Sequence, residues 1–294
     1  MNVKIVYAKV LWLMAKIAGV DAAKKFDARL RFHKKLNLKR PKTLSEKVAY
    51  IELHCQSPLA SSCTDKYAVR EYVISKGLGE MLVPMVGGPW TDVNDVDFES
   101  LPDRFVLKAT HGCKMNYLVA NKSAMDREKC RKEMKRWLST TYGSYSMEPH
   151  YLRIPHRIYA EQFLGDKEPL IDYKFHCMDG VPQFVLVCSD RKANGDAAMK
   201  VTLDLFDMDW KQISELVACG AEVPGDGTIS KPELFEEMKR VSQVLSADFK
   251  FVRVDLCEWN GRIYFGELTF SPANCVFPYF TAEFDAKMGT KLNL

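Results

Sequence analysis

Three charged residues interrupt an apolar stretch late in the chain. FVRVDLCEWNGRIYFGELTF, residues 251–270, alternates like two strands around Asn260-Gly261, yet carries Arg253, Asp255 and Glu267, where strand cores normally exclude charge. Alternation puts Arg253 and Asp255 on one face. A two-residue Asn-Gly turn pairs Asp255 with Gly266 and sends Glu267 to the other face. A three-residue loop, Trp259-Asn260-Gly261 with Gly261 left-handed, shifts the parity and brings Glu267 back beside Asp255. Two carboxylates converging from paired strands make a hard-cation site, and a neighbouring arginine suits a phosphoryl or oxyanion group. Without a cation the two carboxylates should repel each other. From the residues alone an ordinary solvent-facing ion-pair surface stands beside this reading.

A second cluster is RFVLKATHG, residues 104–112. A lysine ending an apolar strand, followed by a glycine-containing loop, can hold a phosphate. GDGTISKPE, residues 225–233, imitates the second half of a calcium loop, but Glu222 and Pro224 fall where its first ligands belong, so it reads as a loop before a helix. The chain has no Walker A loop, GxGxxG, HExxH or GxSxG motif, which argues against P-loop, Rossmann, zincin and α/β-hydrolase chemistry.

The elements that must position these residues follow from periodicity and punctuation. Residues 1–35 read as helical; Thr43 with Glu46 forms a capping box for a helix to about His54; another helix spans Lys66 to Lys76. Val83 to Val86 is extended, and Gly87, Gly88 and Pro89 mark a turn. Strands are expected at Phe105–Lys108, Tyr117–Ala120 and Arg157–Leu164, with a basic helix from Asp126 to Leu138. Ile171–Cys177, Pro182–Cys188 and Lys200–Leu205 read as antiparallel strands, the first two joined at Asp179-Gly180. A helix from Pro232 to Leu245 precedes the strands Phe251–Cys257 and Arg262–Phe270.

The chain has 294 residues, 47% hydrophobic and 27% charged, an ordinary globular balance that excludes global disorder. Net charge is +4, too small for a dedicated nucleic-acid binder, but residues 1–50 hold thirteen Lys or Arg against three Asp or Glu. Nine cysteines form no CxxC and no metal-ligand spacing with histidine, so they read as buried thiols in a reducing compartment. No apolar run reaches membrane-spanning length. Ile5, Val6, Val10, Leu13, Met14 and Ile17 form a helical stripe among lysines, which either docks on protein or lies in a membrane interface.

Taken in order, these clusters resemble the ATP-grasp superfamily, and the chain from about Phe32 to Gly289 resembles its TupA-like branch, named after a teichuronopeptide biosynthesis protein. The segments that carry the resemblance are LNLKRPKTLSEKVAY, DKYAVREYV, LPDRFVLKATHG, RIYAEQFL, DYKFHCMDGVPQFV and FVRVDLCEWNGRIYFGELTF. The resemblance implies an α+β fold of two subdomains clasping ATP: a basic helical region 1–100, a lid at 101–167, and a metal- and substrate-binding part at 168–294. It makes Lys108 similar to the nucleotide-binding lysine, and Thr110 to Asn116, with Gly112, similar to the phosphate-covering loop. Glu161 resembles the acceptor of the adenine amino group, Phe163 and Leu164 the hinge at the adenine edge, and Glu168 the ribose-binding carboxylate. Asp255 and Glu267 resemble the two Mg2+ carboxylates, and Arg253 the arginine that stabilises the transferred phosphoryl group. The superfamily pattern has Asn two residues after the second carboxylate; here that residue is Thr269, leaving Asn274 as the candidate third ligand.

The activity implied is that of an ADP-forming carboxylate–amine ligase working through an acyl phosphate, in cell-envelope or capsular polysaccharide biosynthesis, with a uronic-acid saccharide and an amino acid as co-substrates. A sugar phosphotransferase and a non-catalytic nucleotide-binding protein are the alternatives. Lys174 and Arg191 are candidate phosphate or substrate contacts; His111 and His176 are candidate bases, although a lone histidine in such places is more often structural. The expected location is cytoplasmic, with Lys4, Lys9, Lys16, Lys24 and Lys25 of residues 1–25 facing an anionic membrane.

Overall fold

A computed structural model describes residues 3–55, 57–165, 170–189 and 201–294. The N-terminal third is helical: α1 (Val3–Ala18), α2 (Val20–Phe32), α3 (Leu44–His54), α4 (Pro58–Thr64) and α5 (Val69–Ser75). The expected capping box starts α3, where the Thr43 side chain accepts from the Glu46 N–H and Glu46 reaches back to the Thr43 N–H. Next come β1 (Met85–Trp90), β2 (Phe105–Ala109), β3 (Asn116–Val119), α6 (Arg127–Leu138), α7 (Tyr142–Ser146) and β4 (Ile158–Gln162). The remainder is β5 (Asp172–Met178), β6 (Val181–Ser189), β7 (Val201–Phe206), β8 (Glu222–Pro224), α8 (Phe235–Ser246), β9 (Phe251–Trp259), β10 (Arg262–Thr269) and α9 (Ala282–Gly289).

Two sheets result. The smaller has the order β1-β4-β2-β3, and the larger the order β10-β9-β5-β6-β7-β8. The segment read as a turn at Gly87, Gly88 and Pro89 is instead strand β1, paired with β4. A proline fits there because β1 is an edge strand. The smaller sheet therefore begins before residue 101. Nor do the first hundred residues pack apart from the rest. Leu44 and Val48 of α3 join one core of the large sheet, while Val69 and Val73 of α5 join the other.

The large sheet separates these two cores by strand alternation. Val185 and Val187 of β6, with Val252, Val254 and Leu256 of β9, pack against Phe235, Met238, Val241 and Leu245 of α8. Phe184 and Leu186 point the other way, toward Phe277, Phe280 and Phe284. Burying each large apolar side chain contributes about 2 kcal/mol. On the small sheet, Phe105, Leu107 and Ala109 face Met134 and Trp137 of α6. The opposite faces of β2, β5 and β9 are thereby left to carry polar residues.

Candidate functional site

On β9 the residues between those facing α8 are Arg253 and Asp255. On β5 they are Lys174 and His176. Register places Lys174 opposite Asp255 and His176 opposite Arg253. Glu267 joins this face by a device other than the expected loop. Trp259 pairs directly with Arg262, so the turn is the two-residue Asn260-Gly261 type, with φ of 51° and 69°. The parity shift comes later, at a bulge between Phe265 and Glu267, after which Glu267 stands opposite Asp255. Gly266 is the extra residue, and a Cβ there would lie 3.0 Å from the Asp255 carbonyl oxygen. Phe265 and Leu268, three residues apart, both face the α8 core across this bulge.

The converging side chains form one network. Arg253 Nε donates to Asp255 Oδ1 at 2.6 Å, and its Nη2 donates to Asp255 Oδ2 at 2.7 Å, Glu267 Oε1 at 3.0 Å and Thr269 Oγ1 at 3.0 Å. Thr269 Oγ1 in turn donates to Glu267 Oε1 at 2.9 Å. Lys174 Nζ meets Asp255 Oδ2 at 2.5 Å and Asp172 at 3.5 Å. Burial works against the Lys174 charge, but Asp255 and Asp172 raise its pKa above the ordinary 10.5. Burial and Asp255 both oppose the Glu267 charge, yet Lys66, Arg253 and Lys174 hold its carboxyl below the ordinary 4.5. Asp255 and Glu267 therefore do not stand in bare repulsion, contrary to expectation: Arg253 already lies between them.

Lys108 and Glu161 meet across β2 and β4. Val106 pairs with Glu161, so Lys108 lies diagonally beside it, on the face away from α6, and the two form an ion pair. The side chain of Lys108 is 26% exposed and that of Glu161 8%. The thiol of Cys257, on β9 of the larger sheet, is sensitive to this pair. Burial pushes it up to about 12, and it feels Asp172 and Lys174 on one side and Lys108 and Glu161 on the other. Between the sheets runs a narrow cleft lined by Lys66, Arg70, Leu82, Tyr159, Glu161 and Gly266.

Other expected residues have different places. Thr110 is buried, donating its hydroxyl to the Pro155 carbonyl at 2.7 Å. Gly112 is crowded, since a Cβ there would come within 2.8 Å of the Met115 sulfur. Phe163 lies under the Arg104 guanidinium at 4.6 Å, and Leu164 follows it, half-buried. His111 is corrected as a candidate base: it is fully buried, stacks on His156 at 3.9 Å and bonds the Trp137 carbonyl at 2.9 Å. Burial lowers its pKa to about 4. His176, also fully buried, stacks on Phe184 at 4.4 Å. Asn274 is corrected as a third ligand. Its side chain accepts from Lys24 at 2.6 Å and donates to Asp27 at 2.5 Å, while Thr269 is the residue bonded to Glu267. Lys24 is corrected in turn, being wholly buried against Glu52 and unable to face a membrane. Glu168 and Arg191 lie outside the described residues.

Sequence reasoning missed Lys66. It donates to the Gly112 carbonyl at 2.7 Å, and its charge reaches Glu267, so it couples the 110–115 loop to the large sheet. The signal lay in DKYAVREYV, where Lys66 and Arg70 fall four apart on one side of a helical segment.

The family description TupA-like ATPgrasp matches residues 46–293. The chain belongs to the TupA-like ATP-grasp family. No curated protein sequence matches it. Among solved structures it is similar to D-alanine–D-alanine ligase from Bacillus anthracis complexed with ATP, at 14% identity and a TM-score of 0.40, over 71% of this chain and 55% of that one. It is also similar to D-alanine–D-alanine ligase from Helicobacter pylori, at 11% identity and a TM-score of 0.45, over 85% and 69% of the two chains. A third is D-cycloserine synthetase DcsG, at 14% identity and a TM-score of 0.46, over 80% and 71%. The TupA-like chain thus spans about half the length of the B. anthracis ligase. An α+β ATP-grasp fold, expected from the resemblance, is what the family match and the two sheets give.

Proposed function

We propose that this TupA-like protein is an ATP-dependent, ADP-forming carboxylate–amine ligase. The observation that carries the reading is the gathering of Arg253, Asp255, Glu267 and Lys174 on one sheet face. Asp255 and Glu267 fit a hard divalent cation. An oxygen from each lies within 3.0 Å of the same Arg253 nitrogen, so the two carboxylates converge, and a cation would bind beside Arg253 on the lone pairs it leaves open. Magnesium, when bound there, supplies electrophilic stabilisation of phosphate oxygens.

The chain's own residues do the rest. Lys108 leaves Glu161 for phosphate oxygens, which frees the Glu161 carboxylate for the adenine amino group. Arg253, clamped by two carboxylates and a threonine, keeps its guanidinium fixed where phosphoryl charge develops, so little reorganisation is needed. Lys174 neutralises Asp255 and fixes its orientation. In the reaction a substrate carboxylate oxygen bonds to the γ-phosphorus as the bond to ADP breaks. An amine nitrogen then displaces phosphate from the acyl carbon. His111 and His176 are too deeply packed to take the amine proton.

Our finer reading makes the co-substrates a uronic-acid saccharide and an amino acid, in cell-envelope or capsular polysaccharide biosynthesis; family resemblance supports it. We also read residues 1–25, apart from the buried Lys24, as a peripheral membrane contact on the cytoplasmic face. Supporting this, Val10, Trp12, Leu13 and Ile17 of α1 are exposed beside Lys9 and Lys16, while Leu11 packs inward. Among the described residues no helix is long and apolar enough to cross a membrane. The test of the activity is a screen of uronic-acid saccharides and amino acids for ADP release, with product masses measured. Ligation predicts release that needs both partners and a product lighter than their sum by one water. Release with a saccharide alone, and phosphate in the product, contradicts it.

A further inference from the structure

Behind this face lies a second polar cluster that the proposed reaction does not use. Glu52 comes from α3, while Glu148 and His150 come from the segment after α7. One donor atom from each lies within 4.8 Å of the others, and all three residues are buried. His150 is 3% exposed, and neither of its ring nitrogens has a hydrogen-bond partner. Glu52 is divided. Its Oε2 takes the Lys24 ammonium at 2.6 Å and the Cys275 thiol at 3.1 Å. Its Oε1 has no hydrogen-bond partner and faces His150 Nδ1 at 3.8 Å. Glu148 accepts from the Ser271 hydroxyl on its Oε1.

Leaving both nitrogens of a buried imidazole and a carboxylate oxygen unmatched is unfavourable for each group. Such orphans call for a partner. A single water would serve those hydrogen bonds; a cation would serve the open nitrogen and carboxylate oxygen and also meet carboxylate charge. An imidazole nitrogen with two carboxylate oxygens is a donor set for a transition ion rather than for magnesium or calcium. Around a tetrahedral zinc, donors stand about 3.3 Å apart, so the trio needs to close by up to about 1.5 Å.

We propose that Glu52, Glu148 and His150 bind one divalent transition-metal ion of the zinc class. The ion ties α3 to the segment carrying Tyr151, whose hydroxyl meets the Cys113 sulfur at 3.2 Å in the loop between β2 and β3. Its role is to brace that loop from behind, at a distance from the reacting groups. Lys24 and Cys275 stay on the far Glu52 oxygen and outside the trio.

The test uses the full chain, stripped with a chelator and then equilibrated with zinc chloride against a chromophoric competitor. Elemental analysis counts bound zinc, and thermal unfolding is followed in parallel. The expected result is one zinc per chain and a melting temperature raised by several degrees. Glu52→Gln and His150→Ala should each weaken zinc binding at least tenfold, while Glu237→Gln, on the exposed side of α8, leaves it unchanged. Cobalt loaded in place of zinc should give a visible absorption band that His150→Ala removes. Should His150→Ala fail to fold, the isosteric Glu52→Gln decides by the same readings. Less than a tenth of a zinc per unsubstituted chain overturns the proposal, as does zinc uptake that survives Glu52→Gln.

Discussion

The charges on the large sheet and those on the small one are held in opposite ways. Arg253, Asp255 and Lys174 sit on central strands, each with two or more ionic or hydrogen-bonding partners from β5, β9 or β10. Lys108 and Glu161 make one contact with each other at the margin of the cleft, and Lys108 is a quarter exposed. The first group is a saturated network that its own strands hold rigid. The second is a small group at the cleft margin whose lysine is a quarter exposed, so a ligand can part it more readily than the buried network. In the proposed reaction the first would serve as a fixed surface for the reacting phosphate, and the second as an exchangeable pair that binds nucleotide by trading partners.

The largest way to break this contrast is Asp255→Asn. It leaves Arg253 and Lys174 facing a neutral amide in a buried place, where breaking one partner costs about 3–5 kcal/mol. The variant should lose most turnover and melt several degrees lower. A stability equal to the unsubstituted protein's, read by denaturant unfolding, would show that the network is not saturated. Glu161→Ala should act differently. It should raise the nucleotide concentration needed for half-maximal rate about tenfold, with a melting temperature shifted by no more than a degree or two.

The pH dependence of stability sharpens the same contrast. Lys174 has a folded pKa above 10.5, so its contribution is full below that value and is lost as pH rises through the raised pKa. Glu267 has a folded pKa below 4.5, so its contribution is present above that value and is lost as pH falls through the lowered one. Unfolding free energy should therefore fall off on both sides, and Lys174→Met should reduce the alkaline limb more than the acid one, since Lys174 also helps to hold the Glu267 carboxyl down. The smallest effect on turnover is expected from Leu13→Ser with Ile17→Ser on the exposed face of α1. Turnover in solution should be unchanged, while co-sedimentation with anionic vesicles falls. Equal pelleting of both forms would remove the membrane contact.

The sequence carried the site's chemistry better than its geometry. Arg253, Asp255 and Glu267 were legible because charge in strand-like alternation is rare, and their shared face was anticipated, but through the wrong glycine. Gly261 and Gly266 both satisfy a parity shift, and only the register with β9 decides between them. The Gly-Gly-Pro of β1 resembled a turn because local preference cannot report pairing with a strand seventy residues away. The partner of Lys66 was hidden for the same reason: its contact with Gly112 spans 46 positions. His111 and Asn274 had suitable chemistry, but packing turned each toward a structural partner.

The central claim is that the large sheet answers to the metal and the small sheet to the nucleotide. Calorimetric titration of ATP, with magnesium and with a chelator, tests this without the other substrates. The unsubstituted protein should bind ATP at least tenfold more tightly with magnesium. Glu267→Gln should abolish that enhancement and keep the magnesium-free affinity, while Glu161→Ala lowers both affinities and keeps their ratio. An undiminished magnesium enhancement in Glu267→Gln would contradict the account, making Glu267 a surface residue of β10 rather than half of a metal site.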